Sequence, residues 1–154
     1  MSVLDRPLRL VLKSLHGLLK LKWFLGRPRT FGAHAVALTP AGKIVLVKLR
    51  YADGWRVPGG GRKKDETPEE AVVRELRKEI GMTSYGAVQP ALELEERTHF
   101  KRDLASVFIL RDVEYSRPGW SWEVEDLLEA DLDRLPGDLS PRTARWIRAV
   151  LPNL

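Results

Sequence analysis

The sequence predicts an α/β layered domain, on three observations. Apolar runs of strand length alternate with one strongly capped helix near the middle and another near the end. The chain has 154 residues, of which 44% are hydrophobic and 31% charged. That is about one domain, with enough apolar material for a core and too much for a disordered chain. No internal repeat or low-complexity linker divides it. Cysteine is absent, which excludes a disulfide framework, thiolate metal ligands and a thiol nucleophile, and suits a reducing, cytoplasmic compartment.

The first element is a period-3.6 pattern. Leu4, Leu8, Val11, Leu12, Leu15, Leu18 and Leu19 share one helical face; Arg6, Arg9, Lys13, His16 and Lys20 share the opposite one. Asp5 suits its cap and Pro7 its first turn, while Gly26, Pro28 and Arg29 close it. Charge concentrates here. Residues 1–30 hold seven Lys/Arg and one acid, against 19 and 20 in the remainder, so the net charge of +5 belongs to this appendage. Lys13, His16, Lys20 and Lys22 interrupt any apolar run, which excludes a signal-peptide core and a membrane span. Residues 1–29 therefore read as a basic amphipathic helix with a linker, and 30–154 as the main domain. The leucine face is expected to pack on that domain or across a homodimer. The alternative is a peripheral membrane or partner contact.

Residues 31–38 and 44–50 read as strands joined by a turn at Pro40-Ala41-Gly42, with Ile44-Val45-Leu46-Val47 suited to a buried strand. Gly59–Gly61 read as a glycine-rich loop. Residues 68–80 form the best-marked helix, with Thr67 as cap, Pro68 first, Glu70 completing a capping box and Gly81 as the stop. Further strands are expected near 87–97 and 104–113. A last helix starts at Ser140-Pro141, with Ala144, Ile147 and Leu151 on one face. Neither a Walker loop nor a dinucleotide fingerprint is present.

Glu75 and Glu79 are four apart and share one face of the central helix, with Glu66 entering from the loop before it. Hard divalent cations take oxygen ligands, commonly one or two carboxylates together with substrate phosphates. By spacing alone, two such acids are also a common solvated face.

The order of residues goes further. Gly60, Glu66, Arg74-Glu75-Leu76, Glu79 and Gly81-Met82 resemble the Nudix box, G-x5-E-x7-R-E-U-x-E-E-x-G-U, with U a bulky aliphatic residue. Eight of nine fixed positions match over 23 residues, and Gly54-Trp55-Arg56-Val57-Pro58 resembles the family's approach to its box. The resemblance covers residues 30–154. It implies an α/β/α sandwich around a mixed sheet, here with an extra N-terminal helix. It also implies hydrolysis of the pyrophosphate in a nucleoside diphosphate linked to another group, with Mg2+ or Mn2+. Carried over, Glu79 becomes the principal metal ligand, Glu75 a ligand or base, and the Gly60 carbonyl a further ligand. Glu66 and Arg74 become a structural brace, and Gly81 the helix stop. Glu123, ahead of Leu135-Pro136, is nominated as an additional ligand or base.

The departure is Lys78, an ammonium where the family has a carboxylate. A cation at ~4–5 Å would be repelled by roughly 3–4 kcal/mol at an effective dielectric near 20. Lys78 either weakens the site or stands in for a second cation. For substrate, Arg50 is expected to meet phosphates and Trp55 to stack a base, with Phe100, Trp120 and Trp122 as further aromatic candidates. His34 and His99 receive no role. The partner expected is a small nucleotide rather than a nucleic acid. Two alternatives stand beside the hydrolase: a nucleotide-binding sensor that has lost catalysis, favoured by Lys78, and an enzyme of the RNA 5′ end, favoured by the basic N-terminus.

Overall fold

A computed structural model describes residues 5–26, 29–98 and 100–154. Leu4, Pro28 and His99, named above, lie outside them. The elements are α1 (Asp5–Gly26), β1 (Arg29–Ala37), β2 (Ile44–Leu49), β3 (Trp55–Arg56), β4 (Gly59–Gly61), α2 (Pro68–Glu79), β5 (Met82–Ser84), β6 (Val88–Thr98), β7 (Lys101–Leu110), β8 (Glu114–Tyr115), β9 (Val124–Ala130) and α3 (Pro141–Val150), with a closing 3-10 turn at Leu151–Asn153.

Four strands run in the order β4-β1-β7-β6, three in the order β3-β2-β9, and two as β5-β8. The β1–β7 pair is parallel and the other pairs are antiparallel, so the sheet is mixed. Side-chain alternation builds a core on each face. Ala33, Ala35 and Ala37 of β1, Val45 and Val47 of β2, and Phe108 and Leu110 of β7 pack with Val72, Leu76 and Ile80. The intervening Val36, Ile44, Leu46, Val107 and Ile109 pack with Trp146, Ile147 and Val150 of α3. Helices on both faces make the α/β/α sandwich expected from the sequence.

Thr67 Oγ1 accepts from Glu70 N at 3.1 Å and Glu70 Oε2 from Thr67 N at 2.9 Å, the reciprocal capping box. Helix α2 ends at Ile80, and Gly81 follows with φ +71°, where a Cβ would stand 2.0 Å from the Ser116 carbonyl oxygen. Only glycine fits there.

Three expectations change. Gly59–Gly61 is a short strand rather than a loop, paired with Gly32–His34 of β1. Gly59 has φ +146° and approaches β1 so closely that a Cβ would lie 2.3 Å from Ala33 O. The inner face of α3 is Thr143, Trp146, Ile147 and Val150, with Leu151 exposed. Trp146, a larger apolar side chain, takes the core position expected of Leu151.

The largest change concerns α1. None of its residues is buried, and Leu10, Val11, Leu15, Leu18, Leu19, Leu21 and Leu25 are exposed. The helix meets the domain along the edge between its two faces. Arg9 and Lys13 pair with Asp53 at 3.3 and 3.2 Å, Asp5 pairs with Arg50 at 2.8 Å, and His16 stacks on Tyr51 with centroids 5.3 Å apart. Val11, Leu15, Leu18 and Leu19 of the leucine face thus do not pack on the domain, while Leu8 and Leu12 are half-buried. Long-range charge pairs and aromatic contacts orient the helix instead.

Candidate active site

Two turns of α2 bring Glu75 and Glu79 inward, both buried at 5% and 3% exposure. Strand β4 runs beside them. The Gly59 N–H donates to Glu79 Oε2 at 2.9 Å. A Cβ on Gly60 would stand 2.8 Å from the Glu75 carboxyl carbon, so the absent side chain is what admits that carboxylate against the backbone.

Arg74 ties the loop to the helix. Its Nε donates to Glu66 Oε1 at 2.6 Å, and Nη2 donates to Glu66 Oε2 and the Gly61 carbonyl at 2.9 Å each. It also pairs with Glu75. The Arg74 hydrogen bonds, then the Lys63 N–H, pull the Glu66 carboxyl down to about 2.

Lys78 turns toward the acids. Its Nζ lies 3.3 Å from Glu75 Oε2 and 3.1 Å from Glu123 Oε1, bridging an α2 carboxylate and one from the segment before β9. The sequence raised a repulsive ammonium; the structure has one neutralised by two carboxylates. Burial opposes the Lys78 charge, but the hydrogen bond to Glu123 and the field of Glu75 outweigh it and raise its pKa. Glu79 is pushed up to about 8, first by burial, then by the charges of Glu75 and Glu123, with the Gly59 N–H opposing.

These donors fit a hard cation in kind: carboxylate oxygens, crowded enough that the charges of Glu75 and Glu123 raise the proton affinity of Glu79. Among the described residues no three acidic or imidazole side chains converge into a ready metal cage. Lys78 stands between two of the nominated ligands and already supplies one positive charge.

Beside Glu79 lies a cavity of about 60 Å³, lined also by Arg50, Trp120, Ser121 and Glu125. Arg50 is buried, donates through Nε to the Ser121 carbonyl at 3.0 Å, and lies under the Trp120 ring at 5.6 Å. Its Nη1 is taken by Asp5 of α1. Tyr51 stands close by, its phenol raised to about 12 by burial and by Glu123 and Glu79. Trp55 is elsewhere. It bridges to Leu139 beside the α3 core and does not line this cavity. Trp120, a base-stacking candidate in the sequence, does line the cavity, whereas Asp5, Tyr51 and the rest of the 117–121 loop carry no site assignment from the sequence. Their motifs are too short to carry a signal, and only the fold brings them to α2.

The NUDIX domain family model matches residues 28–152. A MutT NUDIX hydrolase from Burkholderia pseudomallei superposes with TM-score 0.69 at 24% identity, covering 79% of this chain and 98% of that one. A bifunctional NMN adenylyltransferase/ADP ribose pyrophosphatase from Francisella tularensis gives TM-score 0.68 at 17% identity, covering 94% of this chain and 47% of that one. At these identities the likeness is one of fold. An RNA pyrophosphohydrolase from Hahella chejuensis is 43% identical over 47 residues, which is 30% of this chain and 29% of the relative.

Proposed function

The chain belongs to the Nudix family, and we propose on that premise that it hydrolyses the pyrophosphate bond of a nucleoside diphosphate linked to another group, in the cytoplasm. The observation that carries the reading is the buried pair Glu75 and Glu79, held against the Gly59–Gly60 backbone and braced by Arg74 and Glu66. Glu75 and Glu79 would hold Mg2+ or Mn2+, with Glu123 and the Gly60 carbonyl as further oxygen donors. When bound, the ion supplies positive charge to the bridging and leaving oxygens.

The chain's own groups account for the rest. Water attacking phosphorus must lose a proton, and Glu75, carried over as a ligand or the base, would receive it. The Lys78 ammonium contributes a fixed positive charge beside Glu75 and Glu123, where the leaving phosphate gains negative charge. Arg50, at the cavity wall, is suited to a substrate phosphate once Asp5 yields it.

The test is a panel of nucleotide pyrophosphates and 5′-triphosphorylated RNA, with magnesium and manganese. Turnover of a small nucleotide is expected, falling about a hundredfold or more in Glu79→Gln. Turnover of RNA alone would move the substrate to the RNA 5′ end, a reading the short RNA pyrophosphohydrolase match supports. Binding without turnover would favour a sensor, a second reading supported by the ion pairs that engage Lys78 with two nominated ligands. Equal turnover by Glu79→Gln would defeat the residue assignment.

A further inference from the structure

The outer surface of α1 has no part in the cleft chemistry. Leu10, Val11, Leu15, Leu18, Leu21 and Leu25 are 52–78% exposed along one side of the helix. Scattered exposed leucines are ordinary; a continuous ridge of six is not. Phe24 extends it, stacked edge to face on Phe100 with centroids 4.9 Å apart, both exposed. Arg6 and Lys22 are exposed beside the ridge. The helix has one acid, Asp5, which is turned inward to Arg50. Among the described residues no helix is long and apolar enough to cross a membrane.

We propose that α1 docks the protein on an anionic phospholipid surface, lying flat with its leucine ridge at the headgroup–acyl boundary and its cations against the phosphates. Charge complementarity selects this occupant. The net positive charge of the chain comes from residues 1–30, which hold seven Lys/Arg and one acid, while the rest is nearly neutral. A second copy pairing through the same ridge would bring two such basic segments together, a repulsive arrangement. A nucleic acid would use the cations and leave the leucines in water. A lipid surface uses both. The inward ion pairs with Asp53 and Arg50 also turn the ridge outward while the domain stays attached.

The experiment is co-sedimentation of the full chain with vesicles of phosphatidylcholine, alone or mixed with phosphatidylglycerol. Binding to the mixed vesicles only is expected, weakening as sodium chloride rises. Leu15→Glu with Leu18→Glu should reduce that binding by about tenfold or more, because two ridge side chains lose their apolar insertion. Both positions face solvent, so circular dichroism and Tm should stay as in the parent. Lys22→Glu should weaken binding less and flatten its salt dependence. No sedimentation with mixed vesicles at low salt overturns the proposal. So does equal binding by the double variant, or light scattering that finds a dimer which the double variant converts to monomer.

Discussion

Helices α1 and α2 are both amphipathic, yet they sit on the protein in opposite ways. Helix α2 buries Ala71, Val72 and Leu76 completely against β1 and carries a full capping box. Helix α1 is nearly twice as long, has no fully buried residue, and is oriented by ion pairs at exposed positions such as Asp53. Amphipathic periodicity states that a helix has an apolar face. It does not state what covers that face. In α2 the cover is the small-residue surface of Ala33, Ala35 and Ala37, which lets the helix sit close. For α1 no comparable surface is offered, and the charged edge decides the orientation.

Core truncation separates the two helices most strongly. Leu76→Ala should destabilise by about 3 kcal/mol, since it opens a cavity at a fully buried site. Leu18→Ala, at 64% exposure, should stay within about 0.5 kcal/mol. Urea unfolding measures both, and a similar loss at Leu18 would mean that the leucine ridge is covered after all.

Acid sensitivity comes next, and its larger source lies in the domain rather than in α1. Burial, then the Arg142 charge, pushes the His34 imidazole down to about 3. The unfolded ring takes its proton near pH 6.5, so stability is fully present above that pH and is lost as pH falls toward 3. The loss should reach roughly 2.7 kcal/mol by about pH 4.5. Urea midpoints at several pH values should show this limb in the parent and a flatter one in His34→Gln. A parallel limb in the variant would assign the acid sensitivity to other groups.

The site face of α2 gives the third contrast. Lys78→Glu removes an ammonium lying between Glu75 and Glu123 and adds a carboxylate. Manganese affinity by calorimetry should rise about tenfold or more, equivalent to about 1.4 kcal/mol, with a smaller gain in Lys78→Gln. Unchanged affinity in both variants would mean that Lys78 does not compete for the cation position. The caps follow. Thr67→Ala removes one half of the capping box and should cost about 1 kcal/mol. The smallest effect is expected at the foot of α1. Asp53 is 81% exposed, so Asp53→Asn should change stability by less than about 0.5 kcal/mol despite its two ion pairs, and salt should erase the difference.

Much of the candidate site could be read from the chain because it lies on one continuous segment. Glu66, Arg74, Glu75, Glu79 and Gly81 sit on one helix and its flanks, where spacing fixes geometry to within a turn. The Glu66–Arg74 and Gly60–Glu75 contacts are local consequences of that spacing. Glu123 comes from some forty residues further on and reaches Lys78 only through the β2–β9 pairing. Strand β9 itself gives little signal, because its residues alternate neither in polarity nor in burial. Trp55 and Arg50 looked alike as substrate contacts, but five residues of chain turn one toward α3 and the other toward Glu79.

The sequence by itself determined the elements whose causes are local: the capped α2, the acids on its inner face, the glycine at its end, and the alternation that builds two cores. It also set the concentration of positive charge in the first thirty residues. Tertiary structure alone decided the partners. It turned Lys78 from a repelled ammonium into a bridge between Glu75 and Glu123, gave Arg50 to Asp5, and left the leucines of α1 in the open. The reason is physical. Periodicity and capping are short-range properties of neighbouring residues, whereas a side chain's charge partner and a helix face's cover depend on groups that only folding brings within a few ångströms.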